Sequence, residues 1–139
     1  MSSPIETVGE DGTLEVAAAL AATLGPTDVV LLHGDLGAGK TVFVRGLARG
    51  LGLSADVVTS PTFSLAHEYR GGRLPLVHLD LYRIDCIELD DVGFDQGLAD
   101  AGVLVVEWAE RLRRVPAGAI VITITDRGGD ARAVSIART

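Results

Sequence analysis

The sequence predicts an α/β domain in which helices flank a partly antiparallel sheet. Three observations predict it. A continuous apolar run, Asp28 to Gly34 (DVVLLHG), passes through a glycine-rich turn into a helical pattern, Thr41 to Leu51 (TVFVRGLARGL), the signature of a strand buried on both faces and followed by a helix. Residues 63–70 alternate apolar and polar up to the turn signal Gly71-Gly72, after which Leu74 to Leu79 (LPLVHL) reads as a returning strand. Apolar strands then cluster late, at Ala101 to Trp108 (AGVLVVEW) and Ala119 to Thr125 (AIVITIT). Helices early and strands late make a mixed sheet.

In chain order, Thr13 to Leu24 (TLEVAAALAATL) is Ala-rich with Leu14, Ala17, Ala18 and Ala21 at helical spacing, Thr13 as its N-cap and Gly25-Pro26 as its stop. The strand at 28–34, the turn and the helix to Leu51 follow, with Gly52 ending that helix. Thr59-Ser60-Pro61-Thr62 is loop chemistry. The hairpin around Gly71-Gly72 returns to Asp80, and residues 84–100 read as a weakly patterned helix. After the strands at 101–108 and 119–125, Ala133 to Ala137 pairs back across the turn at Gly128-Gly129.

Composition narrows the function. A chain of 139 residues is the size of one domain and buries roughly 68% of its unfolded surface. Its 47% hydrophobic and 22% charged residues are ordinary globular composition. Cys86 stands alone, which excludes a disulfide-stapled scaffold. Apolar stretches reach about half a membrane span, and no signal peptide opens the chain; a cytoplasmic, single-domain protein spanning 1–139 is expected. A net charge of −7 and a pI near 4.8 provide no general nucleic-acid footprint. A local basic patch remains at Arg111, Arg113 and Arg114. Eleven of the twelve basic residues are Arg, and the one lysine is Lys40.

That lysine completes Gly34-Asp35-Leu36-Gly37-Ala38-Gly39-Lys40-Thr41, which fits G-x-x-x-x-G-K-[ST] at every fixed position, a match expected in about one or two of a thousand shuffles of this composition. The chemistry is specific. Glycines let backbone N–H groups close around phosphates, the new helix points its positive end at them, Lys40 adds a cation and the Thr41 hydroxyl can ligate Mg²⁺. A phosphate loop also needs a carboxylate near the metal. Asp80 and Glu107 each end an apolar strand, on the edge where α/β sheets bind ligands. Asp80 also reads as a turn cap, Glu107 as an exposed strand end, and Trp108 as packing. The segment 59–62 lies where a switch loop would meet the γ-phosphate. His33, His67 and His78 have no metal-ligand spacing and read as structural, and Cys86 as a buried or partly buried bystander.

GDLGAGKT at 34–41, TSPTF at 59–63, HLDLYR at 78–83 and VVEW at 105–108, in this order and spacing, together resemble the TsaE (YjeE) family, small bacterial ATPases of tRNA threonylcarbamoyladenosine synthesis. The resemblance spans about residues 5 to 126. It implies a P-loop NTPase-like sheet and a cytoplasmic ATPase that works with TsaB and TsaD in the N6-threonylcarbamoyl modification of adenosine 37 in tRNAs reading ANN codons, meeting tRNA only through that complex. It implies that Gly37, Ala38, Gly39, Lys40 and Thr41 bind the phosphates of ATP, that Thr41 and Glu107 hold Mg²⁺, and that Asp80 is the Walker B carboxylate needed, with Lys40, for hydrolysis. Thr59, Ser60, Pro61 and Thr62 match the switch-like loop, and Trp108 the tryptophan beside the nucleotide. Glu10 falls in an N-terminal segment that passes near the nucleotide, and Arg132 is the best match to a C-terminal arginine approaching it. The sequence departs from the family at Ala109, where Pro is usual. The rival reading is a small-molecule kinase using the same loop, although 139 residues leave little chain for an acceptor pocket and a lid.

Overall fold

A computed structural model of the chain describes residues 4–35, 37–53 and 66–139. Its strands are β1 (Ile5–Val8), β2 (Val29–Gly34), β3 (Ala66–Tyr69), β4 (Leu76–Asp80), β5 (Val103–Glu107), β6 (Ile120–Gly128) and β7 (Ala131–Arg138). They form one sheet in the order β1-β7-β6-β2-β5-β4-β3. The middle four, β6, β2, β5 and β4, run parallel, and antiparallel partners close both sides, β7 and β1 on one and β3 on the other. The pattern follows from sequence: β5 is buried at every position, as a central parallel strand must be, whereas β3, at an edge, is only half-buried. The α/β class with a partly antiparallel sheet is therefore as expected.

Side chains alternate between two cores. Val30, Leu32, Leu76, Val103, Val105, Ile120 and Ile122 face α1 (Gly9–Ala21) and α2 (Lys40–Gly50). Leu31, Val77, Leu79, Leu104 and Val106 face the other way, covered by α3 (Gln96–Ala101) and the irregular stretch before it. Helices α1 and α2 pack almost backbone to backbone. A Cβ on Gly46 would lie 2.5 Å from the Ala17 Cβ and 2.7 Å from the Leu14 carbonyl oxygen, and one on Gly50 would lie 2.6 Å from the Ala21 Cβ. Gly46→Ala is therefore expected to lower stability. Overpacking costs about 1–3 kcal/mol, which outweighs the ~1 kcal/mol of helix propensity regained. Gly25→Ala, where a Cβ meets nothing within 4 Å, is the matched control. Urea unfolding of both variants checks this, and an unchanged midpoint for Gly46→Ala would contradict the tight crossing.

Three expectations are corrected, and one strand goes beyond them. Helix α1 begins at Gly9, so Thr13 is not its N-cap but a buried residue of its second turn; Glu10 and Asp11 occupy the first turn, where carboxylates suit the helix dipole. Strand β1 was not expected. Residues 84–100 are not one helix: a 3₁₀ turn at Leu89–Asp91 precedes α3, which starts only where the Asp95 carboxylate caps the Leu98 N–H at 3.1 Å. Cys86 is exposed, because this stretch runs over the surface. Among the described residues, no helix is long and apolar enough to cross a membrane.

Candidate functional site

The site lies at the C-terminal ends of β2, β4 and β5. Strand β2 delivers the chain at Gly34, and the turn bends through Gly37 (φ +83°) and Gly39 (φ +108°), left-handed conformations that favour glycine. Helix α2 starts at once with Lys40. Its N-terminus has no side-chain cap and no acidic residue in its first turn, and Lys40 stands there instead. A cation beside the positive end of a helix is unfavourable by itself; an anion held by the same N–H groups reverses the sign.

Lys40 is 5% exposed. Its Nζ donates to the Gly34 carbonyl oxygen at 2.5 Å and lies 3.4 Å from the centre of the Trp108 ring, a cation–π contact. Burial pulls its pKa below the ordinary lysine value, opposed by the charges of Glu110, Glu107, Asp80 and Asp35. Trp108 has a left-handed backbone (φ +58°), uncommon for a bulky residue. Its ring packs on Tyr82 at 4.9 Å, and the Arg111 guanidinium lies 5.8 Å from it.

Parallel pairing of β4 with β5 sets Asp80 directly opposite Glu107. The Thr41 hydroxyl, on the first turn of α2, donates to Glu107 at 3.3 Å. Glu107 is 3% exposed, buried rather than an exposed strand end. The Asp80 Oδ1 accepts the Tyr82 N–H at 3.0 Å, so the turn-cap role is real and occupies one of its oxygens. Burial, chiefly, raises the Asp80 pKa above the usual carboxylate value, with the Glu107 charge adding to the rise. Among the described residues no three His, Cys, Asp or Glu side chains form a metal cage. The donor set nonetheless fits Mg²⁺, which takes hard oxygen ligands from one or two side chains and leaves its other positions to phosphates and water. Thr41 and Glu107 would hold it.

A second set of residues reaches the turn from the other direction. Arg132, on β7, donates from Nε to the Ala38 carbonyl oxygen at 3.2 Å and pairs with Asp126 at 3.3 Å. A cleft of about 200 Å³ there is lined by Glu10, Thr13, Gly37–Gly39, Val42 and Arg132. The fold thus gathers Glu10, Gly37, Ala38, Gly39, Lys40, Thr41, Asp80, Glu107, Trp108 and Arg132 around one turn. The switch segment Thr59, Ser60, Pro61 and Thr62 lies outside the described residues, as does Leu36. The basic patch is partly neutralised: Arg113 and Arg114 both pair with Glu88, at 3.8 and 3.2 Å. Sequence reasoning missed Tyr82 beneath Trp108 and treated His78 as plain structure; the legible signal for His78 was its spacing of two from Asp80, which puts both side chains on one face of a strand.

A glycine turn closing on a helix N-terminus at the edge of a parallel sheet, with its lysine, hydroxyl and facing carboxylates, defines a P-loop α/β protein. The sequence model of the family described as "Threonylcarbamoyl adenosine biosynthesis protein TsaE" matches residues 7–134. The chain belongs to the TsaE family. It is 42% identical over 130 residues to the tRNA threonylcarbamoyladenosine biosynthesis protein TsaE of Bacillus subtilis, covering 93% of this chain and 81% of that protein. It is 48% identical over 92 residues to the TsaE of Synechocystis, covering 63% of this chain and 58% of that protein. The crystal structure of Bacillus subtilis YdiB superposes with a TM-score of 0.75 at 38% identity, covering 96% of this chain and 83% of that one.

Proposed function

We propose that this protein is a Mg²⁺-dependent ATP hydrolase of the cytoplasm that supports threonylcarbamoyladenosine formation at position 37 of tRNAs reading ANN codons, acting with TsaB and TsaD. The observation that carries the reading is the uncapped N-terminus of α2 with Lys40 in its first turn, an arrangement whose electrostatics favour a bound polyphosphate. The amides of Gly37 to Thr41 and the Lys40 ammonium hold the β- and γ-phosphates. The cleft beside Glu10, Thr13 and Arg132 takes the nucleoside end. Thr41 and Glu107 would hold Mg²⁺, which would supply charge neutralisation for the phosphates. Asp80, opposite Glu107, orients the attacking water through its remaining oxygen. The acidic chain meets tRNA only through its partners.

The isolated protein is expected to hydrolyse ATP slowly and the TsaB–TsaD pair to accelerate it, because groups that order the water and stabilise γ-phosphate charge are often delivered in trans and contribute roughly 10³ to 10⁵ in rate. Steady-state phosphate release, alone and with saturating TsaB and TsaD, tests this. Full-speed turnover alone, indifferent to the pair, would contradict it, and ATP-dependent phosphorylation of a small metabolite would establish the kinase reading instead.

A further inference from the structure

We infer that His78 is a positioning residue for the metal carboxylate: its Nε2–H locks Glu107 into the rotamer that presents an oxygen to Thr41. This rests on the reading of Thr41 and Glu107 as the Mg²⁺ pair. His78 lies on β4 two residues before Asp80, so both point to the α2 side of the sheet, where Leu76 and Val105 pack. It is fully buried, and its Nε2 meets the Glu107 Oε2 at 2.5 Å. The other oxygen, Oε1, receives the Thr41 hydroxyl. The same hydroxyl lies 3.5 Å from Oε2, so the carboxylate is held between two elements, with the imidazole on Oε2 and the hydroxyl nearer Oε1.

The metal-holding role assigns a direction to that hydrogen bond. A carboxylate that holds Mg²⁺ only accepts, so in this reading the His78 Nε2 carries the proton. His78 Nδ1 is buried without a hydrogen-bond partner among the described residues. A histidine kept merely to fill the core would be expected to satisfy both ring nitrogens or be replaced by an apolar group. Among the described residues one nitrogen is left without a partner while the other bonds the carboxylate, so the contact that the site retains is the one to Glu107. Groups that orient a metal-binding carboxylate in this way typically change metal affinity by about 10- to 100-fold when removed.

Three variants test it: His78→Leu removes the donor, His78→Gln keeps an N–H at the reach of Nε2, and His78→Asn keeps one that falls short. Calorimetry measures binding of a non-hydrolysable ATP analogue in EDTA and across a Mg²⁺ titration. The Leu variant is expected to bind the analogue in EDTA within about 2-fold of wild type while needing roughly 10- to 100-fold more Mg²⁺ for half-maximal enhancement; Gln restores the midpoint and Asn does not. If Leu does not fold, the contrast between Gln and Asn decides. ¹⁵N spectra of the ligand-free wild type should show a protonated Nε2, and a neutral Nδ1–H tautomer would overturn the inference. So would a Leu midpoint equal to wild type, or Gln and Asn shifting it equally. Wild type that binds no Mg²⁺–nucleotide would overturn the proposed function together with it, whereas normal wild-type binding with unchanged variants overturns only the role of His78.

Discussion

Lys40→Met is expected to weaken binding of Mg²⁺-ATP by roughly 10²- to 10⁴-fold, the equivalent of the 3–5 kcal/mol typical of removing one member of a buried charge pair. The chain has no other lysine, and the ammonium sits where the turn closes, bonded to Gly34 and stacked on Trp108. Methionine keeps most of the stem, so the packing on Trp108 largely survives and only the charge and its donors are lost. Lys40→Arg should not rescue binding, because a planar fork does not replace a compact ammonium in that slot. Stability should respond oppositely. A lysine whose pKa is lowered on folding binds its proton less tightly in the folded state, so at neutral pH its charge works against folding. The Met variant is thus expected to melt no lower than wild type while losing the nucleotide. Calorimetric titration and thermal unfolding check the two halves, and unchanged ATP affinity would refute the phosphate-loop reading.

Asp80→Asn is expected to cut hydrolysis by roughly 10²- to 10⁴-fold, the range for a positioned proton-handling group, with ATP affinity changed only a few-fold. Asparagine keeps the Oδ1 that caps the Tyr82 amide, so the turn stays intact and the loss reports the carboxylate. Its raised pKa fixes the pH dependence. Hydrolysis by wild type should fall on acidification at a pH above the ordinary aspartate value, and the Asn variant should lack that acid limb. The sign for stability runs with protonation: a carboxyl raised on folding stabilises the fold below its unfolded pKa and loses that contribution as pH rises through the folded value. Asp80→Asn should therefore raise the melting temperature at neutral pH and leave it nearly unchanged in acid. Single-turnover kinetics separates binding from chemistry, and normal turnover would remove Asp80 from the mechanism.

What the sequence made legible was chemistry that is local along the chain. The phosphate loop could be read because its glycines, lysine and threonine must be contiguous, and the β6–β7 hairpin because Gly128-Gly129 marks its turn. Strand β1 escaped because four mostly exposed residues carry no periodic signal, and the start of α1 because Gly9, Glu10 and Asp11 are not apolar. The stretch 84–100 misled because its apolar residues, Ile84, Ile87, Leu89, Val92 and Phe94, cover the sheet as an irregular layer; the Asp95 cap marked where helix could begin. The burial of Glu107 and its bond to His78 depend on β4 lying beside β5, a long-range pairing that no local pattern announces. Glu10 and Arg132 were reached only through resemblance, since a strand at each end of the chain brings them to the loop.

That last pairing governs when the protein can become whole during synthesis. Ile5 pairs in register with Val134, and Val8 with Ala131, while the Gly9 amide donates to the Asp130 carbonyl at 2.9 Å. During synthesis β1 therefore waits for β7, and closing so large a loop is slow. The central strands can assemble beforehand, because β2, β4 and β5 precede β6 in the chain. The Arg132 side of the cleft joins Glu10 only after translation has passed β7. A nascent chain arrested before that point carries the glycine turn and its lysine but lacks the Arg132 side of the wall beside them, so the complete cleft is a property of a chain translated past β7.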